Sequence, residues 1–562
     1  MAIENCFGAL CFIPLDSSGS KIFGFSEFLA GLALMVLAWT IGDARYRFRV
    51  RTAPIPLQTI TFSVVAAVGV LTLLTDLWRA EGWLVPQGRI LTPPLWQALL
   101  ASLFFFTFLA WAWFAFIKRP TYGKRNAKRY AVTLYRTILK GDATELAVIA
   151  DELSYSARAL VHHATNRNGN RLNQDEDESQ SPLPKVEGYA NELILLIADK
   201  RFCKVIVESS PGTALAFFQE ISESKKYGIQ IEIFAKNIVR EALLNTNSFL
   251  YHEAEGYESG LLGFHKPLSQ AMFGSHIMVE KIGTLLDPDI VGKLKWTNVQ
   301  WEAYCGLVLI TLDDYTDSPY WNHSTALYRA MDYIKNAVSN LYKVNGLSNS
   351  WDRDEVSCLR TTMEFISNAV EILDKKGVPD YIRLRVIKVH SYTSESFYDH
   401  FANMIFEIIV HASAVSSPQW ECWSIQHNSI WGHIRLYLKG PAGKVIQFKL
   451  RRLLYNEVIN MNSFPNFKGA RILRFCLNVM GLKISTGDFD KNNRPLHRAI
   501  LAWTKKHYVW LHQDYPEVGE FCLVDGITYD IENLQLVKTY PTNALRREPS
   551  YERLQLEPTP VT

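Results

Sequence analysis

Cysteine is scarce and scattered, with eight residues in 562 and no CxxC pair. That excludes a disulfide scaffold and every zinc-finger spacing. Walker, dinucleotide-binding, GxSxG and kinase signatures are all missing, so no standard phosphate loop or nucleophile elbow marks a reaction. Histidine is absent from the first 140 residues, although fourteen occur beyond them. Net charge is low, at +3, but its distribution is uneven. Residues 1–140 carry +9 and residues 141–562 carry −6. A mildly acidic larger part argues against bulk nucleic-acid binding, so no nucleic-acid partner is expected. A composition of 48% hydrophobic and 20% charged residues excludes a disordered chain or a fibre.

What is present is a set of apolar runs near the N-terminus. Residues 22–41, 59–78 and 95–117 form three such segments, the last being 23 residues without a charge. About 20 residues cross the hydrocarbon core, so the sequence predicts three transmembrane helices. Glu27 and Asp76 are the acids within them, and both fall near segment ends, where a carboxylate reaches the headgroup layer. Gly24, Gly31, Ala66 and Gly69 are small enough for close helix packing. The first segment lacks the basic start of a secretory signal.

Arg45, Arg47, Arg49 and Arg51 follow the first segment, and Lys118 to Lys140 holds eight basic residues and no acid. The positive-inside rule then places residues 1–21 outside and everything from Lys118 on in the cytosol. A multi-pass protein of a cell inner membrane is expected, with its C-terminus cytoplasmic. Lys118, Arg119, Lys124, Arg125, Lys128 and Arg129 are predicted to face anionic lipid headgroups, each worth about 1 kcal/mol near the surface. Cys6 and Cys11 lie on the outer side, either paired or as free thiols. The other six cysteines are expected to stay reduced.

Beyond the membrane segments the pattern predicts a large, mainly α (α+β) cytosolic domain. Residues 118–164 read as a basic juxtamembrane helical segment and 165–187 as a disordered acidic linker. Residues 188–430 read as a mainly α domain, 431–540 as an α+β part and 541–562 as a flexible tail. Strands are expected at 204–208 and 229–233, around a helix at 213–225, with a buried helical segment as the other reading of such short apolar runs. Hairpins are expected for 433–438 with 444–448, and for 520–524 with 528–530. Met331–Leu341 echoes Met363–Leu373 at an offset of 32 residues, too few copies for a solenoid.

Two constellations carry candidate chemistry. On a helix, His400, Asn403, Glu407 and His411 share one face. Imidazole and carboxylate ligate zinc, iron or manganese, and a Glu beside two His can move protons. His400, Glu407 and His411 are therefore the catalytic and metal candidates, set against a plain solvated stripe. The spacing matches no named metal motif. The second constellation, 251–267, holds His252, Glu253, Glu255, Glu258 and His265 among three glycines. His252 and Glu255 are added to the metal set, against the alternative of an acidic surface loop. A divalent metal is the only cofactor these residues suggest.

The function expected from this reading is an integral membrane protein presenting a large cytosolic sensor, scaffold or effector domain, one able to act on membrane integrity. Its partners are the lipid bilayer and either a protein partner or further copies of itself. The alternative is a membrane-tethered, metal-dependent enzyme of hydrolase type using the His/Glu helix face.

Overall fold

The computed structural model describes residues 5–7, 10–14, 21–41, 43–86, 92–166, 185–254, 267–287, 296–317, 324–375, 396–484, 491–541 and 548–558. The described residues are mostly helical, with two small three-stranded antiparallel sheets. It divides into two compact units, Met1–Glu241 and Ala242–Thr562.

In the first unit, strands β1 (Asn5–Phe7), β2 (Leu10–Pro14) and β3 (Leu84–Pro86) form one sheet. Its register sets Cys6 opposite Cys11. Helices α1 (Phe25–Ile41), α2 (Ala44–Thr52), α3 (Leu57–Ala80) and α4 (Pro93–Ala112) follow, and α4 runs on as a π-helical turn, Trp113–Ile117. Among the described residues, two helices are long and apolar enough to cross a membrane, Leu57–Ala80 and Pro93–Ile117. The apolar stretch Phe25–Leu37 of α1 is shorter, so a third span is not established on length.

The apolar helices pack through Phe28, Met35, Val65, Val68 and Leu100, with Phe104 against them. Two glycines permit this approach. A Cβ on Gly31 would stand 2.8 Å from the Phe104 ring, and one on Gly69 would stand 2.8 Å from the Phe28 ring. The acids of the apolar segments satisfy helix ends. Asp76 accepts from the Lys21 ammonium and from the Phe25 amide, both at 2.9 Å. Glu27 accepts from the Gly24 amide.

The rest of the first unit is helical. It comprises α5 (Ala127–Lys140), α6 (Ala143–Ser154), α7 (Ala157–His163), α8 (Lys185–Ile197), α9 (Lys200–Ser209) and α10 (Pro211–Ser224). Helix α11 (Glu232–Leu244) crosses into the second unit. Asp142 and Asp199 cap α6 and α9 by accepting from Glu145 and Phe202 amides. The expected strand 204–208 is part of α9. Its β-branched run is explained by burial of Phe202, Cys203, Val205, Ile206 and Val207 together, which overrides local propensity. Of the second expected strand, 229–231 is a short lead into α11 and 232–233 belong to its first turn, where the Ile231 carbonyl accepts from the Ala235 amide. The acidic linker falls mostly outside the described residues, which omit 167–184.

The second unit continues with α12 (Phe249–Ala254), α13 (Pro267–Phe273), α14 (His276–Ile282), α15 (Asn298–Asp317), α16 (Thr325–Lys335), α17 (Asp354–Lys375) and α18 (Phe397–Ala412). Then come α19 (Gln419–Trp423), a π-helix (Ser424–Gly432), α20 (His433–Tyr437), α21 (Pro441–Asn460), α22 (Phe467–Met480), α23 (Arg494–Asp514) and α24 (Pro516–Phe521). Helix α15 lies along α17, and α18 along α21. The two echoed segments differ in structure, because the first leaves the α-helix at Lys335 for a 3-10 turn while the second stays within α17.

The expected hairpin 433–448 is corrected to two helices. Gly440 is an N-cap and Pro441 opens α21, a position that suits proline because the amide there has no helical partner. The second expected hairpin is shifted. Residues 520 and 521 end α24, while β4 (Ile527–Asp530) pairs with β5 (Gln535–Tyr540). Gly526 leads into β4 with φ +89, a backbone that favours glycine. The tail is corrected as well, since Ser550–Gln555 forms β6 and pairs with β5 from Gln535↔Gln555 to Tyr540↔Ser550. Leu554 and Leu556 are buried, so alternation hidden among charges anchors this strand.

Candidate functional site

Helix α18 carries the polar stripe expected from the sequence, but each member faces a different neighbour. Ser396 and Asp399 form a capping box at its start, and the buried Asp399 carboxylate also pairs with Lys449 of α21. His400 sets its ring edge-on to Tyr328 at 4.9 Å, with Nε2 3.9 Å from Asp332. Glu407 accepts from Lys468 of α22 at 3.0 Å. His411 is half-buried, and burial pulls its pKa below the usual histidine value, with nearby Arg471 and Lys335 adding to the shift against Glu407. A neutral imidazole suits that surrounding. Glu407 and His411 are thus embedded among cations, which oppose a divalent ion.

The second constellation is divided. His252 is exposed at the end of α12. Glu253 accepts from the Leu268 and Ser269 amides at 3.3 and 2.9 Å, capping α13. Glu255, Glu258 and His265 lie outside the described residues, which omit 255–266. Among the described residues, no three His, Cys, Asp or Glu side chains converge as a metal set.

The basic residues after α4 have two fates. Lys118, Arg119, Lys124, Arg125 and Lys128 are exposed, with the Arg119 guanidinium 4.1 Å from the Tyr155 ring. Arg129 is committed to the chain, donating to the Ala53 and Pro54 carbonyls at 2.9 and 2.7 Å. The arginines of α2 are committed too. Arg49 and Glu152 are each 4% exposed and meet in a bidentate pair, Nε–Oε2 2.8 Å and Nη2–Oε1 2.6 Å. Arg49 also donates to the Ala115 carbonyl at 3.3 Å. Arg45 pairs with Asp151 at 3.2 Å and Arg47 with Glu145 at 3.1 Å. One acidic helix, α6, thereby engages α2, the short helix between α1 and α3, and through Arg49 the end of the last apolar helix.

Sequence reasoning missed a cationic recess in the second unit. A cavity of about 70 Å³ is lined by His427 and Trp431 of the π-helix, Arg435 of α20, and Asn493, Arg494 and His497 around the start of α23. A smaller cavity shares Trp431, Arg435 and Asn493 and adds Arg451 of α21. Among the described residues, neither lining includes a carboxylate. Arg451 donates to the Asn493 amide oxygen at 3.2 Å, and burial alone pulls its pKa down. His497 Nε2–H donates to the Gly481 carbonyl at 2.9 Å, and His427 stacks on Trp423 at 4.4 Å. The only local sequence signal is the four-residue spacing of His427, Trp431 and Arg435; the other arginines come from distant helices. Compared with protein-family models, with curated proteins and with solved structures, the chain matches none.

Proposed function

We propose that this chain is an integral membrane protein whose apolar helices anchor a large helical body in the cytosol, where that body acts as a sensor, scaffold or effector. The observation that carries the reading is the outward apolar surface of α3 and α4. These spans have a mean hydropathy of 2.0, with only 33% and 17% of their most apolar windows buried. Large side chains point away from the protein, as in Phe62 at 68% and Phe106 at 65% exposed. A continuous apolar surface of this kind is costly in water and is satisfied by lipid. At 24 and 25 residues, the two spans extend about 36 Å each, enough for a core of roughly 30 Å.

The polar groups support the same slab. Lys21, Asp76 and Gln97 gather at one end of the apolar helices, while Arg45, Arg47 and Arg49 lie at the other. Helix α1 packs with α3 as a third membrane element, its 17 residues short enough to require local bilayer thinning. The excess of basic residues from Lys118 on supports an inner-membrane protein with its N-terminus outside and its C-terminus cytoplasmic.

Alkaline carbonate extraction of membranes expressing the full chain tests the anchoring. The protein is expected to stay with the lipid pellet. Quantitative release into the supernatant would reduce α3 and α4 to helices of a peripheral or soluble protein.

A further inference from the structure

We infer that the recess between the π-helix, α20, α21 and the start of α23 binds a tetrahedral phosphoryl anion, either free orthophosphate or the terminal phosphate of a small metabolite. The inference rests on the second unit alone and extends the sensor reading by giving that unit a ligand class.

Arg435 and Arg494 line the larger cavity, Arg435 and Arg451 line the smaller one beside it, and among the described residues no carboxylate lines either. Planar guanidinium forks match the oxygen edges of a phosphate, and several of them around one recess suit a dianion better than a halide. Arg435 and Arg494 hold further contacts of their own. The distinctive group is Arg451, which is desolvated by burial and receives only an amide oxygen from Asn493 among its described contacts. A guanidinium held this way gains more from an incoming anion than one already neutralised, because its solvent shell is partly lost.

The surrounding backbone adds to the field. Asn493 is the N-cap of the 21-residue α23, yet its side chain does not cap the helix; it accepts from Arg451 instead. The start of α23, and with it the positive end of the helix dipole, therefore borders the recess, although Pro495 has no amide to offer and the His497 amide is taken by the Asn493 carbonyl. His427 and His497 add two imidazoles, and the buried Trp431 forms an apolar wall. A volume of about 70 Å³ admits one phosphoryl group and leaves the remainder of a larger ligand outside. The π-helix that supplies His427 and Trp431 is a rare geometry, found disproportionately at functional sites.

Isothermal titration calorimetry of the full-length protein in mild detergent, at fixed ionic strength set with chloride, tests this. Sodium phosphate and ATP are the two probes, and sulfate is the competitor. Saturable binding near one per chain, displaced by sulfate, is expected for at least one probe. Similar affinity for both assigns the site to orthophosphate; much tighter ATP binding assigns it to a phosphorylated metabolite. Arg451→Gln should weaken binding about tenfold or more, with Arg451→Lys between it and the parent. Should Arg451→Gln lose its native circular dichroism, Arg494→Gln, which sits at the helix start, takes its place with the same expected loss. No saturable heat with either probe, or undiminished affinity in a folded arginine variant, would overturn the assignment.

Discussion

Buried charges decide most of what single residues do here. Arg49 and Glu152 satisfy each other almost completely out of water. Removing one partner strands the other, which costs about 3–5 kcal/mol, whereas an apolar pair of similar volume is close to neutral. Arg49→Gln and Glu152→Gln should each lower unfolding stability in micelles by that amount, and Arg49→Met/Glu152→Leu should recover most of it. Equal losses in the singles and the double would mean the pair itself supplies the stability.

Lys538 of β5 gives a pH-dependent case. It is 3% exposed, and its ammonium donates to the Asn478 carbonyl at 2.6 Å. Burial pulls its pKa down to about 8 from 10.5, against Glu552 and Cys422, which raise it. Between those values the unfolded chain binds more protons, so this site's contribution to stability rises with pH through that window. Compared with Lys538→Met, the parent should gain about 2–3 kcal/mol in relative stability from pH 7 to pH 10. A gap that stays flat across that range would show that the ammonium is well solvated.

At the scale of elements, legibility in the sequence followed how local the cause was. Helices with long periodic faces, such as 359–374, 396–415 and 468–481, were readable because burial repeats every turn within one segment. The runs 204–208 and 433–438 were not, because short β-branched or apolar stretches satisfy either period, and the surrounding helices decide. Strand β6 was obscured by neighbouring prolines and charges, although Leu554 and Leu556 alternate in the manner of a half-buried strand. Deleting residues 548–562 removes the partner of β5 along six register pairs. That truncation should destabilise the second unit by about 4–10 kcal/mol, the scale of losing two buried leucines. Limited proteolysis would read it as faster cleavage within 527–541; an unchanged cleavage rate would show that β5 holds without β6.

The candidate site divides along the same line. The one-face arrangement of His400, Glu407 and His411 was legible from helical spacing, since all three lie on α18. Their partners were not, because Asp332, Lys468 and Arg471 come from other helices. The same holds for the cationic recess, whose arginines lie up to 59 positions apart in sequence, from Arg435 to Arg494.

For the whole molecule, the apolar helices and the acidic helix α6 form one argument. In the proposed orientation, arginines that would otherwise face lipid headgroups are held by Glu145, Asp151 and Glu152, so the protein would supply part of its own counter-charge at the membrane surface. On the same proposal, the five exposed cations from Lys118 to Lys128 would remain for the anionic leaflet. This arrangement holds α6 at the basic ends of the apolar helices, so that in the proposed membrane placement both must lie on the same side of the bilayer.

That requirement leads to the most direct test, a pair of topology reporters fused to the chain. One is an alkaline phosphatase active only outside the inner membrane, and the other is a fluorescent protein active only in the cytosol. Fused after Lys140, the account predicts fluorescence and no phosphatase activity; fused between α3 and α4, near Gln87, it predicts the reverse. Phosphatase activity after Lys140, or the same signal from both positions, would contradict the anchored orientation on which the proposed function stands.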